Sequence, residues 1–263
     1  MTMRNNKRLF IRNRVLTIST WLLILGIWFF VTELELISSV LVPSPITVGR
    51  TFVEILREGY NDVPLSVHLG ISFARLFLAY FLAMLIGIPL GLLSGYFSGV
   101  RSVVDSLIQF YRPLPPLAYY TLLVLWFGIY EESKVLLLFL AALAPIYVSC
   151  VSAVGKINAD YQLSALSLGA SRKQVFIHVV APACLPEIFT GLRTGIGVAY
   201  TTLVAAEMVA ATSGIGWMVI DASRFLNSPV MFVGIIIMGL TGVIIDLVMR
   251  LIEKYLVDWK TYV

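Results

Sequence analysis

Few residues of this chain could perform chemistry, and most of those lie within long apolar runs. The only histidines are His68 and His178, and the sequence has no G-x-S-x-G or H-E-x-x-H pattern and no paired catalytic aspartates. Cys150 and Cys184 are the only cysteines, and we expect two small buried apolar residues there rather than a disulfide or a metal ligand pair. The sequence therefore predicts no catalytic set and no metal site.

Four charged residues lie inside apolar runs that are long enough to cross a membrane. In the topology derived below, Arg75 and Glu207 fall at the outer depth of two spans, whereas Arg193 and Asp246 fall at the inner depth of two spans. Ionisable residues inside a membrane are costly and are usually paired or face a cavity. We predict pairing across helices for both sets, with contact to a transported solute as the alternative.

A run of prolines interrupts another apolar stretch. Residues 112–116 read Arg-Pro-Leu-Pro-Pro, which cannot form a regular helix interior because each proline lacks a backbone donor. Irregular backbone at membrane depth is tolerated where it is buried in protein or faces a wet cavity. Tyr111, Arg112, Tyr119 and Tyr120 border the break and form a candidate translocation path, in which Arg112 would suit an anionic head group and an aromatic face would suit an ammonium. The alternative is that Arg112 reaches lipid phosphate and the tyrosines pack as core.

The elements that must position these residues are membrane-spanning helices. Hydrophobic residues make up 59% of the 263 residues and charged residues 13%, against about 45–50% and about 25% in soluble domains. Continuous apolar runs without strand-like alternation predict an all-α helical bundle in a single transmembrane domain, residues 1–263. About six spans are expected, at residues 15–37, 69–93, 103–127, 135–154, 185–211 and 230–249.

The distribution of lysine and arginine predicts the orientation, because cytoplasmic loops are enriched in both residues. With the N-terminus inside, the cytoplasmic segments contain Arg4, Lys7, Arg8, Arg12, Arg14, Arg101, Lys156, Arg172, Lys173, Arg250, Lys254 and Lys260. The outside segments contain Arg50, Arg57, Lys134 and Arg224. We therefore expect both termini in the cytoplasm. Topology explains the net charge of +4, and no nucleic-acid partner is expected.

The longest polar stretch beyond the N-terminal tail lies between the fourth and fifth predicted spans, at about residues 155–182, and is called the loop segment below. Its first part predicts a short helix that ends at Gly169, a residue suited to a left-handed helix C-terminus. Ser171 followed by Gln174 predicts a capping box that starts a second helix. Two short helices around a tight turn would expose Leu163, Ala165 and Leu166 to a groove on a partner or, alternatively, to the lipid surface.

The loop segment resembles the cytoplasmic loop of permease subunits of ATP-binding-cassette importers. That family carries E-A-A, three residues, Gly, nine residues and I-x-L-P. At the same spacing this chain has Leu163, Ser164, Ala165, Gly169, Val179, Ala181 and Pro182. Four of these positions depart from the pattern, so the family's charge contact at its Glu is not carried over to Leu163. Residues 167–216 are similar to the nitrate/sulfonate/taurine subgroup, and residues 111–141 are most similar to permease subunits of taurine importers.

The resemblance implies a fold, a set of partners and a role for the loop segment. The fold would be that of a type I importer permease in a bacterial inner membrane. Two copies of the chain would pair, each docked to one of two ATP-binding subunits, and a solute-binding protein would deliver the solute outside. The loop segment would couple the chain to its ATPase. The expected contact residues are Leu163, Ser164, Ala165, Leu166, Gly169, Ala170 and Ser171.

The cofactors and the solute also follow from the resemblance. The sequence has no G-x-x-x-x-G-K-[ST] phosphate loop, so ATP and Mg²⁺ are expected on the partner ATPase and no cofactor in this chain. The expected solute is taurine or a related aliphatic sulfonate, with nitrate, alkanesulfonates or a pyrimidine precursor as alternatives. A secondary transporter that works alone is a more distant alternative. It would give the polar loop segment no functional role.

Overall fold

The structure is a computed structural model that describes residues 2–257, without the side chains of residues 1–11 and 13. Arg4, Lys7, Arg8 and Lys260, which contribute to the predicted orientation, therefore lie outside the described side chains. The described chain is helical and contains no β-strand.

The helices follow one another with short connections. They are α1 Thr2–Glu33, α2 Pro45–Glu58, α3 Leu65–Tyr96, α4 Ser98–Tyr111, α5 Pro116–Phe127, α6 Glu131–Gly155, α7 Ala159–Ser167, α8 Arg172–Val175, α9 Ala181–Ala183, α10 Leu185–Ala210, α11 Ile215–Arg224 and α12 Ser228–Leu256. A π-helical turn, Phe176–Val180, joins α8 to α9.

Five described helices are long and apolar enough to cross a membrane. They are Arg14–Glu33 within α1, and the whole of α3, α6, α10 and α12. Each corresponds to one predicted span, because a continuous apolar run in lipid must satisfy its backbone groups within one helix. The remaining predicted span, 103–127, is divided between α4 and the short apolar helix α5. The break falls where the prolines predict it.

The described residues form two compact units. The first unit contains the chain up to Leu65 together with Met218–Ile236, and the second contains Ser66–Trp217 together with the chain from Ile237 onward. In the first unit, the Trp28 indole nitrogen donates to the Pro43 carbonyl at 3.0 Å, and the Trp28 ring stacks on Phe232 with centroids 5.6 Å apart. The Ser44 side chain accepts from the Thr47 amide and caps α2.

The core of the second unit lies where α3 and α10 approach α6 closely. Glycine permits this approach at several points. A Cβ atom at Gly91 would lie 2.5 Å from the Cβ of Cys150, and one at Gly191 would lie 2.5 Å from the Cβ of Ser149. Small residues allow helix backbones to approach and pack in a membrane, where the hydrophobic effect does not drive association. Both cysteines are buried and free, as predicted.

Candidate functional site

The loop segment has a defined turn at its centre. Gly169 has a φ of +89°, and two backbone bonds close the end of α7: the Gly169 amide donates to Leu166 at 3.0 Å and the Ala170 amide donates to Ala165 at 3.1 Å. These bonds form a Schellman motif, which satisfies carbonyls at a helix end and requires a left-handed residue. The predicted helix end at Gly169 is confirmed.

The next helix begins with the predicted capping box. The Ser171 hydroxyl accepts from the Gln174 amide at 3.3 Å, and the Gln174 side chain accepts from the Ser171 amide at 2.8 Å. Beyond it, the buried side chains of Val175, Val180 and Cys184 anchor the segment to the core. The turn between α7 and α8 is therefore held by hydrogen bonds on both sides and by apolar contacts behind it.

The apolar surface of the loop segment differs in part from the prediction. Leu163 and Leu166 are exposed, as expected, but Ala165 is half-buried and packs against the core cluster, as Ala170 does. The expectation that Ala165 is exposed is wrong, because the rotation of α7 turns that position inward. Ser164, Gly169 and Ser171 are exposed. Two exposed apolar residues were missed: Leu168, with 89% of its surface exposed, and Tyr161 with 66%.

An ion pair joins the two ends of the loop segment. The Lys156 ammonium lies 3.0 Å from a carboxylate oxygen of Glu187. Lys156 directly follows α6, and Glu187 lies in the first turn of α10. Both side chains are partly exposed, so the pair contributes little free energy by itself, about 0–1 kcal/mol. It joins the point where the loop segment leaves the bundle to the point where it re-enters.

The four residues of the candidate translocation path lie in different environments. Tyr111 is half-buried against the main core cluster, and its hydroxyl donates to the Leu140 carbonyl at 3.3 Å. Tyr119 and Tyr120 belong to a separate small cluster with Leu123. Arg112 follows α4 and is exposed. Arg112 is thus exposed, whereas the two tyrosines of α5 pack in the interior.

Tyr120 has an unusual environment. Only 1% of its surface is exposed, and its buried hydroxyl lies close to the Ser133 side chain. In this conformation Tyr120 faces the protein interior rather than an open cavity.

The structure brings Arg75 and Glu207 together in a buried network. Both side chains are almost completely buried, and the Arg75 guanidinium lies 2.8 Å from Glu207. The nitrogen that contacts Glu207 also donates to the Ser213 carbonyl at 2.9 Å, and the other terminal nitrogen donates to Glu131 at 2.7 Å. A guanidinium can satisfy several acceptors at once because its donors form a planar fork. Sequence reasoning missed Glu131, which lies at the start of α6.

Glu207 also fixes the connection between α10 and α11. Its carboxylate accepts from the Ser72 hydroxyl at 2.7 Å and from the Gly216 amide at 2.9 Å. Gly214 has a φ of +119°, and its amide donates to His68 at 3.1 Å. A carboxylate at a helix N-terminus satisfies free amides and complements the helix dipole. Glu207 thus stabilises both the buried arginine and the start of α11.

The second charged pair is also in contact but is more exposed. The Arg193 guanidinium lies 2.9 Å from Asp246, with 34% and 44% of the two side chains exposed. Arg250 approaches the other oxygen of Asp246 at 2.8 Å, and Glu253 lies 3.7 Å from Arg193. The four side chains link α10 to α12.

Among the described residues, no three His, Cys, Asp or Glu side chains are grouped so that they could hold a metal ion.

The helical bundle and the loop segment agree with the expected importer permease, and comparison with known proteins shows this class. Residues 83–257 match the family of binding-protein-dependent transport system inner membrane components. The chain belongs to this family. It is therefore an inner-membrane permease subunit of the ATP-binding-cassette importer class, in the nitrate/sulfonate/taurine subgroup.

Two relatives are similar over almost the whole chain. The taurine transport system permease protein TauC of Escherichia coli is 43% identical over 249 residues, which cover 94% of this chain and 90% of that protein. A Bacillus subtilis permease, SsuC, assigned to aliphatic sulfonate transport, is 34% identical over 237 residues, 90% of this chain and 84% of that protein.

A solved structure is similar in fold. An inward-facing structure of the MetNI methionine ABC transporter matches with a TM-score of 0.62 and 17% sequence identity, over 70% of this chain and 92% of that chain. At this identity the match concerns the fold alone. The predicted all-helical importer permease fold is confirmed.

Proposed function

We propose that this chain forms, with a second copy of itself, the membrane path for taurine or a related aliphatic sulfonate. The 43% identity to a taurine permease over 94% of the chain carries the choice of solute. Alkanesulfonates, nitrate or a pyrimidine precursor are the alternatives within the same role. A solute-binding protein on the outer face delivers the solute, and two ATP-binding subunits, which hold ATP and Mg²⁺, drive its transfer.

The loop segment is the proposed coupling element, on the cytoplasmic side together with both termini. Two observations support this role: the turn between α7 and α8 is held by hydrogen bonds, and it lies beside the exposed side chains of Leu163, Leu166 and Leu168. Large apolar side chains on a fixed turn suit a hydrophobic groove on a partner. A turn held by a Schellman motif and a capping box resists deformation. It can therefore transmit a displacement of that partner to α6 and α10.

The solute is tested by reconstituting the chain in liposomes with its ATP-binding subunits and its solute-binding protein. Uptake of radiolabelled taurine should require ATP and the binding protein. Excess unlabelled taurine or an alkanesulfonate should suppress the uptake, and excess nitrate should leave it unchanged. Accumulation of nitrate instead of taurine would reassign the solute. Uptake by the purified chain alone would support a secondary transporter.

The coupling role is tested with a matched pair of charge insertions. Leu168→Glu places a carboxylate on the exposed tip of the loop segment, and Tyr255→Glu places one on an exposed residue of α12. A charge forced into an apolar groove costs several kcal/mol, so Leu168→Glu should weaken co-purification of the ATPase by about tenfold or more. Tyr255→Glu should leave it unchanged. Equal retention of the ATPase by both variants would contradict the role.

A further inference from the structure

A basic groove opens between α4 and the C-terminal part of α6. Its volume is about 840 Å³, which is within the range of small-molecule sites, roughly 300–1,000 Å³. One part of the lining is polar and carries Arg101, Arg112 and Lys156. Another part is apolar and includes Val148 and Val151. The groove can therefore accommodate a charged head group together with a short hydrocarbon tail.

The charges of the lining do not balance. Asp105 is the one carboxylate among the lining residues, and it already accepts from the Tyr147 hydroxyl at 3.1 Å and from Gln109 at 3.2 Å. A second carboxylate, Glu187, lies outside the lining and pairs with Lys156 at 3.0 Å. Its ion pair with Arg101 is long, 3.4 Å, and exposed. Two carboxylates beside three cations leave one positive charge uncompensated. The groove therefore presents an excess of positive charge.

Arg112 contributes most of this excess. None of the ion pairs among the described residues includes its guanidinium. The residue is exposed at the end of α4, directly before the proline turn. A guanidinium binds oxyanions with two parallel hydrogen bonds. Arg112 is thus available to an anion that enters the groove.

Lys156 connects the groove to the loop segment. The same ammonium that lines the groove pairs with Glu187 at 3.0 Å, across the two ends of the loop segment. An oxyanion in the groove would compete with Glu187 for this ammonium. Occupancy of the groove would therefore loosen the pair that joins the ends of the loop segment.

We infer that this groove binds an oxyanion with a short apolar tail through Arg112, Arg101 and Lys156, and that the bound anion competes with Glu187 for Lys156. The shared chemistry is a sulfonate or phosphate group, supplied either by a free aliphatic sulfonate or by the head group of an anionic phospholipid. That a free sulfonate reaches this side of the chain rests on the proposed function. The competition between the anion and Glu187 does not rest on the proposed function.

The test uses the permease with its ATP-binding subunits in phosphatidylcholine nanodiscs, without nucleotide and without the solute-binding protein. The probe is radiolabelled butanesulfonate. We expect saturable binding, which Arg112→Gln should weaken by about tenfold, since a hydrogen bond to a charged group contributes about 1.5–3 kcal/mol. The control is Arg50→Gln, at an exposed position of α2. This variant should bind butanesulfonate as tightly as the unmodified chain does.

Glu187→Gln distinguishes the proposal from a general loss of structure. Removing that carboxylate frees Lys156, so this variant should bind butanesulfonate more tightly, whereas a structural defect would weaken binding. No saturable binding, equal binding by Arg112→Gln, or weaker binding by Glu187→Gln would each overturn the inference.

A second arm separates the two sources of the anion. Nanodiscs that contain phosphatidylglycerol should block butanesulfonate binding if the lipid head group occupies the groove, and should leave it unchanged if free sulfonates do. Both results support an oxyanion site and assign its ligand. Because no step involves ATP or uptake, failure here leaves the proposed transport function intact, and failure of transport would leave the binding result intact.

Discussion

The Arg75 guanidinium lies 2.8 Å from Glu207, with 4% and 1% of the two side chains exposed. The pair joins α3 to α10, and each member has further partners, so neither charge depends on one contact alone. Isolated charges in a low-dielectric interior cost several kcal/mol each. The additional hydrogen bonds from Ser72 and Gly216 to Glu207 make the pair tolerable. The network therefore determines how α3, α10 and the start of α11 pack.

Replacing Glu207 should destabilise the fold strongly. Glu207→Gln removes one of the two carboxylates that pair with Arg75, while Glu131 keeps the guanidinium partly compensated. The loss of a buried hydrogen bond between charged groups costs about 1.5–3 kcal/mol. The thermal unfolding midpoint of the purified chain in detergent should fall accordingly. The control is Glu132→Gln, which neutralises an exposed carboxylate near the start of α6 and should change stability by less than about 0.5 kcal/mol. Equal midpoints for the two variants would show that the buried network does not stabilise the fold.

Two glycines of α3 should respond oppositely to the same substitution. A Cβ atom at Gly91 would lie 2.8 Å from the Tyr147 carbonyl oxygen, a backbone atom that cannot move away easily, whereas nothing lies within 4 Å at Gly70. Gly91→Ala should therefore lower stability by about 1–3 kcal/mol. Gly70→Ala should be neutral or stabilising by up to about 1 kcal/mol. Thermal unfolding in detergent measures both, and a Gly91→Ala variant as stable as Gly70→Ala would argue against close packing of α3 on α6.

Much of the fold could be predicted because its signals are local. Continuous apolar runs specify the long helices, and the prolines at 113, 115 and 116 specify the break between α4 and α5. Gly169, Ser171 and Gln174 determine the turn of the loop segment through bonds that span only a few residues. In each case the physical cause lies within one continuous stretch of the sequence.

The remainder depends on how distant elements meet. Glu131 binds Arg75 only because α6 begins beside α3, and no spacing in the sequence encodes that approach. Ala165 turns inward and Leu168 outward because of the rotation of α7 on the bundle. Arg112 lies in the basic groove because of the exact course of the proline turn. Helix rotation and loop direction are set by packing, so residue types alone could not predict them.

The turn at Gly169 should be sensitive to backbone conformation rather than to size. Its φ is +89°, and a Cβ atom there would meet nothing within 4 Å. Gly169→Val should uncouple ATP hydrolysis from the solute, because a β-branched residue resists this conformation at a cost of about 1–3 kcal/mol. Gly169→Asn should retain much more coupling, since asparagine tolerates positive φ.

The measurement is solute-stimulated ATP hydrolysis by the reconstituted complex, with the amount of permease in the membrane fraction as the check on insertion. Normal coupling in Gly169→Val would mean that the turn does not transmit force. Equal loss of coupling in both variants would point to side-chain bulk at the partner interface instead.

The orientation of the chain should be measurable by cysteine labelling, because the native thiols give little background. Cys150 and Cys184 are buried, and burial raises the pKa of Cys184 to about 11, so little reactive thiolate forms at neutral pH. Lys173→Cys places an exposed thiol on α8 and leaves the Ser171 cap intact. Ser38→Cys places one in the exposed connection after α1.

A membrane-impermeant maleimide should label Ser38→Cys in intact cells that lack the ATPase subunit, and should leave Lys173→Cys unlabelled. In inside-out vesicles the reagent should label Lys173→Cys and leave Ser38→Cys unlabelled. The reason is that the excess of Lys and Arg predicts that the loop segment faces the cytoplasm. Restoring the ATPase subunit should then protect Lys173→Cys, since Lys173 lies two residues beyond Ser171, the last residue of the proposed contact. Labelling of Lys173→Cys from outside intact cells would reverse the topology and remove the coupling role with it.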